Sequence, residues 1–176
     1  MGAPIRTGRL VLRAARPGDE GWILAEIARP EVHRWLRGVP CPYRPEDAAD
    51  WVAQSATLPM RRIIERDGAP LGSVSLTGPL GYWLRPGAWG QGIATEAADA
   101  LVGLHFRQGG GRVRADVHLG NDASARVLAK LGFQETGCDV ARSEYWGTPV
   151  EIRCFELDPA AWQARPADLA PGSVPL

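Results

Sequence analysis

Between Leu80 and Phe106 the chain passes from a short apolar strand, through the glycine-rich run Pro86 to Gly92, into an amphipathic helix. No other stretch limits the fold as much. Ile93, Ala97, Leu101 and Leu104 recur at helical spacing, an apolar stripe that must lie on a core. The strand needs the same core, so the run reads as a strand–loop–helix unit of an α/β domain. Gly90-Gln91-Gly92 stands directly before the helix. Without a Cβ, glycine lets backbone approach a ligand, and a helix start offers unpaired N–H groups. Together they suit a phosphate or pyrophosphate. An ordinary tight β–α connection accounts for the same glycines. The third glycine of the dinucleotide fingerprint is missing, and Lys130, the one lysine, follows Ala129, so no P-loop exists.

The flanking chain extends the alternation. Arg9–Ala14 reads as a first strand, Glu20–Ala28 as a helix, and Val32–Leu36 as one further turn. Pro45 suits the first position of a helix to Ser55. Arg61–Arg66 and Leu71–Leu76 are strands joined at Asp67-Gly68, a hairpin signal, and Leu80–Leu84 is a third. Arg112–His118 alternates, with Val113, Ala115 and Val117 on one face and Arg114, Asp116 and His118 on the other. Asn121–Leu131 is a second amphipathic helix, and a strand pair runs from Phe133 to Leu157 around a loop at Ser143–Pro149. The expectation is a mixed α/β domain over residues 1–158 with about seven strands, and an Ala/Pro-rich tail, loose or surface-docked, over 159–176.

Length and composition agree. A chain of 176 residues is most simply one domain, and 45% hydrophobic with 23% charged residues excludes wholesale disorder. Twenty basic and twenty acidic residues cancel. That argues against holding nucleic acid or an anionic membrane by bulk charge. Cys41, Cys138 and Cys154 are far apart, with no zinc spacing, so reduced thiols and no metal are expected. No apolar run is long enough to span a bilayer, and the N-terminal apolar stretch is broken by arginines. A cytoplasmic protein, monomeric or homodimeric, is the default.

A second chemical signal follows the first by about 30 residues. Asn121, Ser124, Val127, Leu128 and Leu131 share one helix face. The aliphatic members bury it, so Asn121 and Ser124 point inward at its N-terminal end. A helix cap is the simplest local role for Asn121. Ser124, a hydroxyl on a buried stripe, needs a partner or a ligand.

These two motifs resemble the GNAT acetyltransferases, which move acetyl groups from acetyl-CoA to amines. Trp89-Gly90-Gln91-Gly92-Ile93-Ala94 fits their phosphate-binding pattern except at its first position, where Trp89 replaces Gln or Arg. Gly81-Tyr82-Trp83-Leu84, Ala94-Thr95-Glu96-Ala97, and Asn121-x-x-Ser124 through Lys130-Leu131-Gly132-Phe133 are similar to the RimJ/RimL branch, which acetylates protein N-termini. The resemblance covers roughly Ile5 to Leu157. It implies a GNAT acyl-CoA N-acyltransferase fold, with a central twisted mixed sheet and an opening between the strands ending at Leu84 and His118.

The resemblance also implies roles. Backbone from Trp89 to Thr95 would take the pyrophosphate. Leu84 and Arg85 would pair with the pantetheine arm, and an amide there would serve the developing oxyanion. Asn121 would bond the arm. The tyrosine that many relatives use to protonate the leaving thiolate falls at Leu128, which makes Ser124 the substitute.

The base for the acceptor amine is less marked. No Asp or Glu lies between Leu71 and Arg85, where many relatives keep one. His118 is the first candidate by position and ordinary pKa, and Glu144, in the loop before the last strand, the second. His33 and His105 read as partly buried helix residues. No base at all is also workable. An α-amine, with pKa near 7.7–8.0, is about a quarter to a third neutral at pH 7.5, whereas a lysine is only about a thousandth neutral. Trp22, Trp35, Trp51 and Trp83 read as core anchors, although Trp35 and Tyr43 fall where relatives build the acceptor pocket. The expected function is N-acetyl transfer to an amine, such as a peptide N-terminus. The alternatives are a small-molecule amine such as an antibiotic or polyamine, or an acyl-CoA sensor without turnover.

Overall fold

A computed structural model describes residues 3–165. It contains eight strands and six α-helices among those residues: β1 (Ile5–Arg6), β2 (Val11–Arg13), α1 (Glu20–Ile27), α2 (Pro30–His33), α3 (Pro45–Ser55), β3 (Arg61–Arg66), β4 (Ala69–Ser75), β5 (Gly81–Leu84), α4 (Ile93–Arg107), β6 (Val113–His118), α5 (Asp122–Leu131), β7 (Gln134–Arg142), β8 (Pro149–Leu157) and α6 (Pro159–Ala164). The extra strand arises because the N-terminal segment folds on itself. Thr7 N–H donates to the Leu10 carbonyl at 3.0 Å, so Ile5 pairs with Leu12 in a hairpin rather than preceding one strand.

The mixed sheet is split. Strands β1 to β5 form one antiparallel sheet in chain order, and β6-β8-β7 form a second. Parallel character is confined to the bridge between Leu80 and Ala115, where Leu80 N–H donates to the Arg114 carbonyl at 2.6 Å. Beyond it β5 and β6 part.

Alternation in β3 sends neighbouring isoleucines to different cores. Ile64 joins Leu12, Val74, Leu101 and Leu128 in the core shared by both sheets, α4 and α5. Ile63 joins Ile23, Ile27, Ala48 and Val52 beneath α1 and α3. At the hairpin between β3 and β4 both Asp67 (φ 52°) and Gly68 (φ 78°) are left-handed, as a tight two-residue turn requires. The start of the C-terminal tail docks: Trp162 on α6 donates to Asp99 of α4 at 3.1 Å. The rest of the expected tail, from residue 166, lies outside the described residues.

One buried ion ties the N-terminal hairpin to α4. Glu96 is 6% exposed and accepts from Thr7 Oγ1 at 2.5 Å, Arg9 N at 3.0 Å and Arg9 Nε at 2.7 Å. Burial alone would raise its pKa, but these bonds outweigh it and hold the carboxylate below its ordinary 4.5. A depressed folded pKa contributes stability that is complete above the unfolded value and lost as pH falls through the folded one. Glu96→Gln should therefore lower Tm at pH 7, and the two melting curves should converge as the pH is taken below 4.5. A constant Tm difference across that range would show that Glu96 acts by packing rather than by charge.

Candidate active site

Where β5 and β6 diverge, a cleft of about 900 Å³ opens, walled by both strands, α3, the start of α4, α5 and the segment after α2. The pairing of β4 and β5 decides which backbone groups face it. Arg85 N–H donates to the Leu71 carbonyl at 2.9 Å, on the β4 side. Leu80 N–H points the other way, to β6. Strand alternation then turns the N–H groups of Tyr82 and Leu84 toward the gap. Arg85, by contrast, has its N–H committed to β4, and its side chain borders a separate shallow recess with Glu26 and Arg29. The structure does not bring Arg85 to the cleft as the sequence suggested.

The floor at one end is the start of α4. Gly92 is its N-cap in the left-handed conformation (φ 74°), and the first turn closes from Glu96 N–H to the Gly92 carbonyl at 3.0 Å. The N–H groups of Ile93, Ala94 and Thr95 precede the first helical bond and have no partner within the helix. Trp89, Gly90, Gly92, Ile93, Ala94 and Thr95 all line the cleft. Gln91 does not. Its side chain faces outward, accepting from Arg66 at 2.9 Å and donating to the Gly87 carbonyl at 2.8 Å.

On the opposite wall Asn121 caps α5, its Oδ1 accepting from Ser124 N–H at 3.2 Å, and both residues line the cleft. The Ser124 hydroxyl has a partner that the sequence reading did not foresee. The Tyr82 hydroxyl reaches across from β5 and lies 2.9 Å from Ser124 Oγ, while donating to the Ser124 carbonyl at 3.1 Å. Burial pushes the Tyr82 phenol up to about 12, so it keeps its proton. The Gly-Tyr-Trp-Leu stretch held this residue in plain view, but only the convergence of β5 and α5 makes it part of the site.

His118 also faces the cleft. It is 5% exposed, and its Nε2 has no hydrogen-bond partner among the described residues. Trp35 meets it edge-on, with ring centroids 6.1 Å apart. Burial lowers its pKa first, and the charge of Arg37, which is ion-paired to Asp116, lowers it further. His118 is therefore neutral at pH 7. Placed by the sequence on the polar face of its strand, it is covered by Trp35 from the segment after α2. Glu144 is not brought in: it pairs with Arg142 at 2.9 Å in the β7–β8 turn, away from the cleft lining. His33 is buried, 3.3 Å from the Val39 carbonyl, and His105 bonds the Gly111 carbonyl at 2.9 Å. Trp22 and Trp83 meet as a tilted pair at 5.6 Å, and Trp83, with Trp35, Tyr43 and Trp51, also borders the cleft.

Residues 9–134 match the family model described as an acetyltransferase (GNAT) domain. The chain belongs to the GNAT acetyltransferase family. An uncharacterized N-acetyltransferase of Bacillus subtilis (strain 168), YoaA, is 29% identical over 171 residues, covering 87% of this chain and 95% of the relative. RimL, the ribosomal L7/L12 alpha-N-protein acetyltransferase in complex with coenzyme A, has the same fold at a TM-score of 0.79. It is 20% identical and is covered over 99% of its length by 90% of this chain. A ribosomal-protein-S5-alanine acetyltransferase from Vibrio fischeri superposes at 0.74, also at 20% identity, over 94% of this chain and 100% of that one.

Two departures from the general GNAT pattern now have structural explanations. The Trp89 indole donates to the Leu84 carbonyl at 2.8 Å, pinning the glycine loop to the end of β5. The helix position where the general pattern has a tyrosine is the buried Leu128, and a tyrosine on the facing strand, Tyr82, brings its hydroxyl to Ser124. Among the described residues of this GNAT chain no cluster of His, Cys, Asp and Glu could hold a metal, and no helix is long and apolar enough to cross a membrane.

Proposed function

We propose that this acetyltransferase takes acetyl-CoA as donor and a low-pKa primary amine, such as a peptide N-terminal α-amine, as acceptor. The observation that carries the reading is the split between β5 and β6, with the Gly92-led helix start on one side of the gap and Ser124 on its wall. The backbone amides of residues 93–95 fit a pyrophosphate, and the Tyr82 and Leu84 N–H groups facing the gap fit the amide-bearing arm. Bound there, acetyl-CoA supplies the activated acetyl group. Leu84 N–H donates toward the carbonyl oxygen as charge builds on it. Asn121, its Oδ1 used by the cap, keeps its amide hydrogens for the arm.

Ser124 holds the sulfur end and relays a proton from water to the thiolate, taking up one proton as it gives one, its hydrogen turning from the Tyr82 oxygen to the sulfur. Tyr82 orients Ser124 but is a poor net acid. Its pKa of about 12 lies well above that of a thiol, near 8.5, so the proton is replenished from water. The domain supporting this chemistry is assigned to residues 1–158, with 159–176 as an Ala/Pro-rich C-terminal tail.

Neutral, buried and unpartnered, His118 Nε2 suits acceptance of the amine proton. A base works only in its neutral form, so a depressed pKa extends activity to lower pH. If His118 serves, kcat/KM should fall on an acid limb below 6.5, the ordinary histidine value, and His118→Ala should abolish that limb. If the amine arrives neutral by its own pKa, the profile should rise to a plateau near pH ~8 for an α-amine and above ~10 for a lysine. Profiles of wild type and His118→Ala that superimpose, acid limb included, would remove His118 from the mechanism. Screening amines by release of free CoA thiol tests the whole reading, and binding without turnover of any amine would leave an acyl-CoA sensor.

A further inference from the structure

The glycine turn before α4 is braced from outside the cleft. Arg9, between β1 and β2, lays its guanidinium against the start of the helix. Its Nε donates to Glu96 Oε2 at 2.7 Å, and its Nη2 pairs with the same oxygen at 2.7 Å. Its Nη1 donates to the Gln91 carbonyl at 3.1 Å. A Cβ on Gly92 would lie 3.5 Å from Arg9 Nη2. One side chain thus spans the turn from the residue before the N-cap to the first helical turn, and each of its nitrogens is used within the protein. Neither Arg9 nor Glu96 lines the cleft.

The acid that this arginine meets conflicts with an anion site. Glu96 is buried in the first turn of α4 and is ionised at neutral pH. A negative side chain there is drawn to the same positive helix end that an anionic ligand uses, and it repels that ligand. Burial keeps water from screening it. Thr7 Oγ1 and the Arg9 N–H give the carboxylate hydrogen bonds but no countercharge. Among the described residues the Arg9 guanidinium is the cation paired with it. Arg66 reaches the same turn, but its Nη1 donates to Gln91 Oε1 at 2.9 Å, not to an acid.

We propose that Arg9 is a positioning residue for the acetyl donor: it sets the affinity for CoA, without touching it, by neutralising Glu96. The inference rests on the reading above that the donor's pyrophosphate binds at the start of α4. With the pair intact the first turn carries no net side-chain charge, and the positive end of the helix is left to the phosphates. With Arg9 neutral, Glu96 competes with them.

The test is CoA binding by calorimetry on the full chain, at low and high salt and well below the Tm of each variant. Arg9→Gln should weaken binding about tenfold at low salt and less at high salt. Removing the stranded charge should undo this. Arg9→Gln/Glu96→Gln, although it departs further from the native bonds, should bind within about threefold of wild type. Arg9→Lys keeps the charge and loses the fork, and should also stay within about threefold. Arg66→Gln takes a cation from the same turn without baring an acid, and should cost no more than about twofold. A merely structural Arg9 would lower Tm and leave affinity unchanged, or would make the double variant the weakest binder, and either result overturns the inference. A loss in Arg66→Gln as large as in Arg9→Gln overturns it too, because positive charge in general would then be the cause. If Arg9→Gln does not fold, Arg9→Lys and the double variant decide: binding within threefold in both supports the inference, and a larger loss in either overturns it. All these outcomes leave the donor site standing. Wild type that does not bind CoA, or Gly92→Val that binds it like wild type, overturns the donor site and the inference together.

Discussion

Gly92→Val should weaken CoA binding at least a hundredfold while the protein stays folded. A Cβ at Gly92 would meet only Arg9 Nη2, at 3.5 Å, an ordinary contact, so the lesion is not a clash within the protein. It is conformational. At φ 74° a β-branched residue is strained by more than the roughly 1–2 kcal/mol that a left-handed backbone costs an ordinary L-residue. The chain relieves this by turning the loop, and the amides of residues 93–95 lose their common aim. Any side chain that did keep the native backbone would stand where a pyrophosphate must approach. Each hydrogen bond to a charged group is worth about 1.5–3 kcal/mol, so misaiming two of them already accounts for a hundredfold. Calorimetry on the folded variant decides the point. Wild-type CoA affinity would mean that the helix start is not the phosphate site.

Ser124→Ala should lower kcat by roughly 10- to 100-fold while changing the affinity for acetyl-CoA by no more than about threefold. General acid assistance is worth up to about 10²–10⁴, and water entering the vacated space retains part of it. Tyr82→Phe separates two ways of losing that function. It removes the 2.9 Å contact that orients Ser124 without removing the serine, so a smaller fall in kcat, about three- to tenfold, is expected. If alanine at 124 leaves kcat unchanged, the hydroxyl is merely the satisfied partner of Tyr82. If Tyr82→Phe proves as damaging as Ser124→Ala, the two hydroxyls act as one unit.

Local sequence patterns located most elements because each carries its own cause. Pro45 starts α3, Asp67-Gly68 turns β3 into β4, and Gly132 (φ 89°) ends α5 in the left-handed conformation that favours glycine. They also placed the two motifs, since a glycine before a helix and a hydroxyl on an apolar stripe are readable within ten residues. The first strand was read in place, with β2 inside Arg9–Ala14, but its hairpin partner β1 was not, because two residues are too short to show an alternation.

What alternation along a strand does not encode is the neighbour of its far edge. The residues 80–84 suit an interior strand, yet β5 pairs with β4 along its length and touches β6 only at Leu80. That single divergence opens the cleft, directs Leu84 N–H into it and carries Tyr82 to Ser124. It also leaves two sequence candidates outside the cleft lining: Arg85, whose N–H falls on the paired side, and Glu144, which pairs with Arg142 in the β7–β8 turn. His118 falls on the polar face of its strand by alternation, and only the packing of Trp35 against it makes it a buried imidazole whose Nε2 has no hydrogen-bond partner among the described residues. The sequence by itself determined the α/β order, the glycine turn before α4 and the Asn121–Ser124 face, because hydrophobic period, turn chemistry and helix spacing act within a few residues. The tertiary structure alone decided where the sheet splits and which hydroxyl meets Ser124. Those outcomes depend on contacts between segments 40 or more residues apart, such as Tyr82 with Ser124, and packing rather than local preference selects them.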